Sequence, residues 1–204
     1  MGHLAQIARH RTPDIPLRRQ RQRTLSVATG LARDEAYRTN LQMNGNLSND
    51  LLDRISELAL GLRGSQELTY PIILCFTADQ KIPYASGMPR EPLPAIGQAF
   101  DEGFSEVLKQ AVAENSSIHD GAIMLSTEAA GTEYCISGWS YRLHPPSTVS
   151  TIANKGSAFN SCLAMSAMEK IDAVFLVTRD TLYRFLDGEH AALHGRGELE
   201  AKNP

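Results

Sequence analysis

The chain has 204 residues, of which 42% are apolar and 21% are charged, and its formal net charge at pH 7 is −3. This composition is typical of a folded globular protein and excludes a disordered or low-complexity chain. So small a net charge gives no overall attraction to nucleic acid or to an anionic membrane surface. The length suits one well-packed domain with additions at its ends.

The distribution of apolar residues and of cysteines indicates in which cellular compartment the protein is located. No apolar run approaches the ~20 residues that a membrane-spanning helix needs, and the N-terminus lacks the apolar core of a secretory signal. Cys75, Cys135 and Cys162 are widely spaced among apolar neighbours. That pattern is typical of buried thiols in a reducing compartment rather than of disulfides or metal ligands. We therefore expect a bacterial-type cytoplasmic protein that does not contact a membrane.

The first 66 residues are expected to precede the main domain. Residues 1–23 contain six arginines but one acid, Asp14, and show little apolar periodicity, so they predict a flexible basic arm. This arm is either a solvated tail or a contact for nucleic acid or another partner. Residues 24–66 predict a helical segment, with a weak helix around 31–41 and a strong one that begins at Ser48, a good N-cap.

Residues 67–188 predict one α/β domain of the α+β type, in which helices flank a mixed central sheet. Apolar runs predict strands at 72–76, 122–125, 134–136, 173–177 and 182–185, and apolar spacing predicts helices over 95–113 and 157–170. Prolines and polar residues predict loops over 81–94 and 137–154 and a tight connection at 179–180. Residues 189–204 are polar and predict a frayed tail.

One motif lies where a predicted helix gives way to a strand, and it reads Ser116-Ser117-Ile118-His119-Asp120-Gly121-Ala122. The carboxylate of Asp120 stands beside Gly121, which lets a ligand approach the backbone closely. Such a pair can hold a metal-bound triphosphate. Asp-Gly is also a common turn, so the residues alone leave both interpretations open.

Residues 116–122 and the apolar strand after them resemble the Ser-x-x-His-Asp-Gly-Ala signature of diadenylate cyclase domains, which join two ATP molecules into cyclic di-AMP. The order of elements is also similar over residues 70–185. The resemblance implies a diadenylate cyclase-like fold, with Asp120 as metal ligand and catalytic carboxylate, and with Gly121 and Ala122 at the nucleotide. His119 matches as well, either as a ligand contact or as a residue that stabilises the turn.

The second motif of the family departs from the pattern. Active cyclases have Gly-Thr-Arg-His-Arg, whereas this chain reads Gly156-Ser157-Ala158-Phe159-Asn160. The arginines that hold the triphosphate are missing, and guanidinium groups are the side chains that bind phosphate bidentately. The loss of one such donor costs on the order of 3 kcal/mol in the transition state.

The residues in and near this second motif leave alternatives open. Gly156 and Ser157 keep positions at which the family contacts nucleotide. Phe159 either stacks on a base or packs in the core, and Asn160 would read a base edge if the ring stacks. Basic residues elsewhere either replace the lost arginines or are ordinary surface charges: Arg142, Lys155 and Arg179.

Three functions follow from these observations. The first is a non-catalytic sensor that binds a nucleotide or nucleotide-derived signal of the ATP or cyclic dinucleotide class. The second is an active diadenylate cyclase with relocated basic residues, which would use Mg²⁺ or Mn²⁺ with its triphosphate. The third is a partner-binding module that acts through the N-terminal arm. An active cyclase of this family works between two facing domains, whereas a sensor needs one occupied pocket, so a homo-oligomer is possible and the function does not fix the oligomeric state.

Overall fold

A computed structural model describes residues 47–82, 84–127, 133–146 and 151–193. The predicted basic arm, the weak helix around 31–41 and most of the predicted tail lie outside these residues. The described α-helices are α1 (Asn49–Leu60), α2 (Phe104–Glu114) and α3 (Ser157–Ser166), and a short 3₁₀ turn spans Ser116–His119. The described strands are β1 (Ile72–Thr77), β2 (Ala85–Gly87), β3 (Ala122–Thr127), β4 (Tyr134–Leu143), β5 (Ile171–Val177), β6 (Leu182–Leu186) and β7 (Glu189–Leu193).

The seven strands form one sheet in the order β2-β4-β3-β1-β5-β6-β7. The central pair, β1 and β3, runs parallel, and the other pairs are antiparallel. This mixed sheet with accompanying helices confirms the predicted fold class. No described helix has the length and apolar character to cross a membrane.

Strand β1 is covered on both faces, as its continuous apolar run predicts. Cys75 belongs to a buried cluster with Cys162 and Met165 of α3. The next residue, Phe76, points to the opposite face because side chains alternate along a strand. Its ring makes edge contacts with Phe100, with centroids 5.0 Å apart, and with two further rings, those of Tyr134 and Phe175.

Burial was predicted for all three cysteines, and it is confirmed for two of them. Cys75 and Cys162 are both fully buried. Burial, aided by the charge of Asp172, raises the pKa of the Cys75 thiol to about 12, and burial raises the pKa of Cys162 well above its ordinary value. Both groups therefore stay protonated and unreactive. Cys135 in β4 is instead partly exposed.

The strong N-terminal helix is confirmed at its start. The hydroxyl of Ser48 accepts a hydrogen bond from the backbone N–H of Leu51, which satisfies one of the unpaired donors at the N-terminus of α1. The inward face of α1 buries Leu52, Ile55 and Ala59. The helix spacing read from the sequence thus identifies the buried side of α1.

The predicted helix over 95–113 is wrong in its first half, because α2 begins at Phe104. Residues 97–100 instead run along the edge of β4. The N–H of Gly97 donates to the carbonyl of Ile136 at 2.7 Å, and the N–H of Phe100 donates to Tyr134 at 2.7 Å. Gly97 has a φ of +94°, which a helix does not contain. Ile96, one of the apolar residues within the predicted helix, is 57% exposed.

Four further features differ from the sequence expectations. The predicted loop over 81–94 contains β2, and the first part of the predicted loop over 137–154 continues β4 to Leu143. Helix α3 ends at Ser166, before the predicted end at residue 170. Glu189–Leu193, expected in a frayed tail, forms β7 and pairs with β6. The two added strands, β2 and β7, are short and lie at the sheet edges, where alternating burial is weak.

Candidate functional site

The 116–122 motif lies at the entrance to β3, next to the centre of the sheet. Asn115 fixes it from both sides: its side-chain oxygen accepts from the N–H of Ser117 at 3.0 Å, and its side-chain amide donates to the carbonyl of Pro92 at 2.7 Å. His119 Nδ1 lies against the carbonyl of Ser116, within the same turn. Asp120 and Gly121 follow immediately and lead into the strand. The sequence thus folds locally into a turn that presents Asp120 at a strand end.

A cavity of about 410 Å³ opens at this strand end. Its lining includes His119, Asp120 and Gly121, together with Ser157, which is the first residue of α3. The two predicted motifs therefore meet at one cavity, whose size is within the range of about 300–1,000 Å³ found for small-molecule sites. The remaining lining residues are mostly apolar or aromatic: Tyr70, Pro71, Ile73, Met88, Tyr141, Arg142, Leu143, Ala158 and Ser161.

Gly121 is required by the backbone around it. Its φ is +102°, a conformation that residues with a side chain rarely adopt. A Cβ at this position would stand 2.7 Å from Cε of Met88 and 2.7 Å from the carbonyl oxygen of Tyr141. The glycine of the motif thus allows β4 and the residue after β2 to close over the strand entrance.

Asp120 has a partner that the sequence did not reveal. Nη2 of Arg90 lies 2.8 Å from Oδ2 of Asp120, while Nε of Arg90 donates to Oγ of Ser140 at 2.8 Å. The Ser140 hydroxyl in turn donates to the backbone carbonyl of Asp120 at 2.5 Å. Arg90 lies in a stretch predicted as a loop, and no residue pattern links it to the motif. Asp120 is therefore an ion-paired carboxylate.

The strand that supplies Ser140 is irregular where it faces the motif. Register shifts occur on both sides of Met124 in the β3–β4 pairing, and Ser140 has a φ of +56° although it is fully buried. Such bulges re-aim side chains at sheet sites. Here the irregularity turns the Ser140 hydroxyl toward Asp120 and Arg90.

The donor groups do not fit the metal ion that the resemblance implies at Asp120. Among residues 47–82, 84–127, 133–146 and 151–193, no three His, Cys, Asp or Glu side chains cluster so as to hold a metal ion. The Asp120 carboxylate, the predicted ligand, is instead bound by the guanidinium of Arg90. Two positive charges at one exposed carboxylate repel each other.

Four residues predicted at the nucleotide do not line the cavity. Ala122 is fully buried in β3. Phe159 is only 4% exposed and packs against the rings of Phe185 and His190, so the core-packing alternative describes it and base stacking does not. The Asn160 side chain accepts from the N–H of Ile152 at 2.9 Å and donates to the carbonyl of Lys155 at 3.0 Å, which ties down the loop before α3. Gly156 is exposed at the N-cap of α3.

Of the three basic residues considered as replacements for the lost arginines, Arg142 lines the cavity. Lys155 places its ammonium 4.8 Å from the centroid of the Phe159 ring, away from the lining. Arg179 stacks 5.7 Å from the centroid of the Tyr70 ring. Arg142 is thus the replacement candidate whose position suits an anionic ligand.

A larger cavity of about 530 Å³ lies elsewhere, between α1 and the segment around Phe100. Its charged lining residues are Asp50, Arg54 and Glu133. It contains no residue of either predicted motif. We regard the smaller cavity as the candidate site because the sequence motifs, the strand end and a basic side chain meet there.

The chain matches no family model and no curated protein. Among solved structures it is similar to a hypothetical membrane spanning protein from Bacillus cereus, with a TM-score of 0.48 and 11% sequence identity over 81% of this chain and 72% of that chain. It is also similar to a double mutant of DacA from Staphylococcus aureus, with a TM-score of 0.46 and 14% identity over 76% of this chain and 95% of that chain.

Proposed function

We propose that this chain is a divergent diadenylate cyclase-like domain whose 410 Å³ cavity binds a nucleotide or nucleotide-derived signal, as a non-catalytic sensor. One observation carries the proposal. His119, Asp120 and Gly121, which match the family signature, line the same cavity as Ser157, which stands in the second motif. Residues that are distant in the sequence but similar to one family's site therefore meet in one place.

The composition of the cavity suits a nucleotide. Tyr70, Ile73 and Tyr141 offer apolar and aromatic surface for a base or ribose, and Arg142 offers a cation for phosphate. Serine hydroxyls at 157 and 161 add neutral hydrogen-bonding groups near the start of α3. A mostly apolar lining with few polar groups is the usual make-up of a small-molecule site.

The same composition argues against efficient nucleotidyl transfer. Such transfer builds negative charge on the leaving pyrophosphate, and enzymes stabilise it with several preorganised donors. Among the described residues that line the cavity, Arg142 is the one arginine or lysine. The carboxylate that would act in catalysis, Asp120, is bound to Arg90. Binding without turnover is the function that this arrangement favours.

Isothermal titration of the full chain with ATP, AMP and cyclic di-AMP tests the proposal. We expect saturable binding of at least one of them, and a Tm that rises with ligand as mass action requires. Arg142→Gln should weaken that binding about tenfold, which corresponds to about 1.4 kcal/mol. Arg54→Gln removes the same charge on the exposed side of α1 and should leave affinity unchanged. No binding of any of the three nucleotides would refute the proposal.

Active cyclisation is a second candidate, favoured by the presence of Arg142 in the cavity lining as a relocated basic residue. Incubation with ATP and Mn²⁺, followed by chromatography for cyclic di-AMP, tests it directly. Product that disappears in the Asp120→Asn variant would establish cyclase activity. The absence of product, with ATP binding intact, would leave the sensor as the function.

A further inference from the structure

The loop that carries Arg90 is held in place two residues before and two residues after it. The N–H of Met88 donates to the carbonyl of Ser140 at 2.9 Å. The carbonyl of Pro92 accepts from the side-chain amide of Asn115 at 2.7 Å. The first contact ties the loop to β4, and the second ties it to the 116–122 motif. Arg90 is therefore placed by the same two elements that shape the cavity.

The Arg90 side chain is largely enclosed, with 18% of it exposed, whereas the Asp120 side chain is 70% exposed. Two nitrogens of the Arg90 guanidinium donate hydrogen bonds. Nε donates to Ser140 and Nη2 donates to Asp120, each at 2.8 Å. The Ser140 hydroxyl acts as acceptor for Arg90 and as donor to the Asp120 carbonyl, which uses both of its capacities. These contacts define one preferred position for the guanidinium.

This position conflicts with a divalent cation at Asp120. An arginine stays protonated throughout the physiological pH range, so its charge is permanent. Mg²⁺ demands near-octahedral oxygen ligands at about 2.0–2.1 Å. A cation at the Asp120 carboxylate would either displace the charge-assisted hydrogen bond at Oδ2 or bind Oδ1 close to a like charge. Moving Arg90 away would also break its contact with the buried Ser140.

We propose that Arg90 takes the place of the divalent cation at Asp120, so that the cavity binds nucleotide phosphate without metal. The ligand class is then a nucleotide that is recognised metal-free, such as a cyclic dinucleotide or a monophosphate, rather than a metal–triphosphate complex. The exclusion of metal rests on the Arg90–Asp120–Ser140 contacts alone. The choice of a nucleotide as ligand rests on the proposed function.

Paramagnetic broadening by Mn²⁺ tests metal exclusion in the full chain without any nucleotide. In wild-type protein, Mn²⁺ should broaden the Gly121 amide signal no more than it does in the Asp120→Asn variant. In Arg90→Gln, the Gly121 signal should broaden strongly, and the additional change Asp120→Asn should abolish that broadening. Arg90→Lys keeps the positive charge but loses the two-nitrogen geometry, so its broadening should fall between those of wild-type protein and Arg90→Gln. The dispersion of the amide spectrum reports that each variant is folded.

Two results would overturn metal exclusion. The first is broadening at Gly121 in wild-type protein that Asp120→Asn removes, because the ion would then reach the carboxylate past Arg90. The second is a folded Arg90→Gln variant that gains no broadening, because Arg90 would then not be what keeps the ion away.

A second experiment tests whether the cavity binds nucleotide without metal. The protein is titrated with cyclic di-AMP and with ATP, each in excess EDTA and in excess Mn²⁺. The wild-type Kd for cyclic di-AMP should agree between the two conditions within about twofold, and ATP, which binds Mn²⁺ in solution, should bind no more tightly in Mn²⁺ than in EDTA. Arg90→Gln should let the ion reach Asp120, so this variant should bind nucleotide about tenfold more tightly in Mn²⁺ than in EDTA. Arg54→Gln serves as the matched control. Wild-type affinity that rises about tenfold or more with Mn²⁺ would overturn the inference.

The two proposals fail in distinguishable ways. If no nucleotide binds, and Mn²⁺ broadens Gly121 in Arg90→Gln but not in wild-type protein, the proposed function is refuted and metal exclusion stands. If a nucleotide binds and Mn²⁺ reaches the Asp120 carboxylate in wild-type protein, the proposed function stands and metal exclusion is refuted.

Discussion

The hydroxyl of Tyr134 donates a hydrogen bond to Oδ2 of Asp172 at 2.8 Å, which joins β4 to β5 although β3 and β1 lie between them in the sheet. Burial raises the pKa of Asp172 above its ordinary value, and the hydrogen bond from Tyr134 opposes that rise. Burial, together with the Asp172 charge and hydrogen bond, raises the pKa of Tyr134 as well, so the phenol remains a donor. A partly buried carboxylate thus depends on this neutral donor.

Removal of the donor should destabilise the fold. Tyr134→Phe leaves the Asp172 carboxylate without its hydroxyl partner, and such a loss costs about 1–3 kcal/mol of the free energy of unfolding. Urea unfolding measures the change. Tyr183→Phe is the control, because the ring of this tyrosine packs against Phe159 and the change leaves that ring in place. Equal losses in the free energy of unfolding for the two variants would contradict a stabilising hydrogen bond between Tyr134 and Asp172.

The pH dependence of stability should carry the sign of a raised carboxyl pKa. A group whose pKa is higher in the folded than in the unfolded state stabilises the fold fully below the unfolded pKa, about 3.9 for Asp. This contribution is lost as pH rises through the folded pKa of Asp172. Asp172→Asn keeps an acceptor and removes the charge.

The stability of Asp172→Asn relative to wild type should therefore increase as pH rises from about 3 and then level off above the folded pKa. Thermal unfolding of both proteins in a series of buffers gives this difference. A difference that shrinks with rising pH would contradict the expected sign. The comparison with wild type also cancels the contributions of other titrating groups. One of these is Asp79, because a hydrogen bond with Lys170 lowers its pKa.

Gly121→Ala should be more damaging than a glycine substitution at a similar backbone angle. Gly97 has a φ of +94° with nothing within 4 Å of an added methyl group, whereas at Gly121, with a φ of +102°, the methyl would meet Met88 and Tyr141 at 2.7 Å. Both changes incur the backbone strain of a positive φ, and Gly121→Ala adds a steric overlap worth about 1–3 kcal/mol. Thermal or urea unfolding of the two variants isolates this overlap, and equal destabilisation would refute it.

Gly138→Ala should disturb the cavity through Tyr141. A Cβ at residue 138 would stand 2.3 Å from Cε2 of the Tyr141 ring, so the ring must turn, and that ring lines the cavity. Gly87→Ala is the matched control because its Cβ would meet the same ring at an ordinary 3.6 Å. We expect nucleotide affinity to fall about tenfold in Gly138→Ala and to hold in Gly87→Ala. Unchanged affinity in both would show that the Tyr141 ring does not contact ligand.

Asn160→Ala should lower stability without lowering nucleotide affinity. Its side chain binds the N–H of Ile152 and the carbonyl of Lys155, so its loss should cost about 0.5–1.5 kcal/mol per hydrogen bond. Calorimetric titration beside a thermal melt separates the two effects. A folded variant that loses nucleotide binding would restore the base-edge role considered from the sequence.

The main elements of the fold were predictable because their signals are local. Ser48 marks the start of α1, and continuous apolar runs mark β1, β3 and β5. The errors arose where tertiary pairing decides conformation. Apolar spacing around Ile96 fits a helix, yet Gly97 and the edge of β4 make an extended segment. Strand β2 has three residues, too few to show a period.

The site was predictable only in part, for the same reason. Both motifs were identified from the sequence, and His119, Asp120, Gly121 and Ser157 line one cavity. Arg90 carries no signal in the sequence, because its pairing with Asp120 follows from a loop that is hydrogen-bonded to β4 through Met88 and Ser140. Phe159 faces inward because α3 packs on β5 and β6, a choice of helix face that a five-residue motif does not encode.

Strand β7 has a consequence for how copies of this chain meet each other. It covers the outer edge of β6, and its His190 ring lies 5.0 Å from the ring of Phe159 under α3. A protein shortened to residue 188 would present the backbone donors and acceptors of β6, a strand rich in apolar side chains, to any neighbouring strand. Strand β7 therefore hides from neighbouring molecules the backbone groups of an apolar strand, while the exposed His190 ring packs edge-on against Phe159.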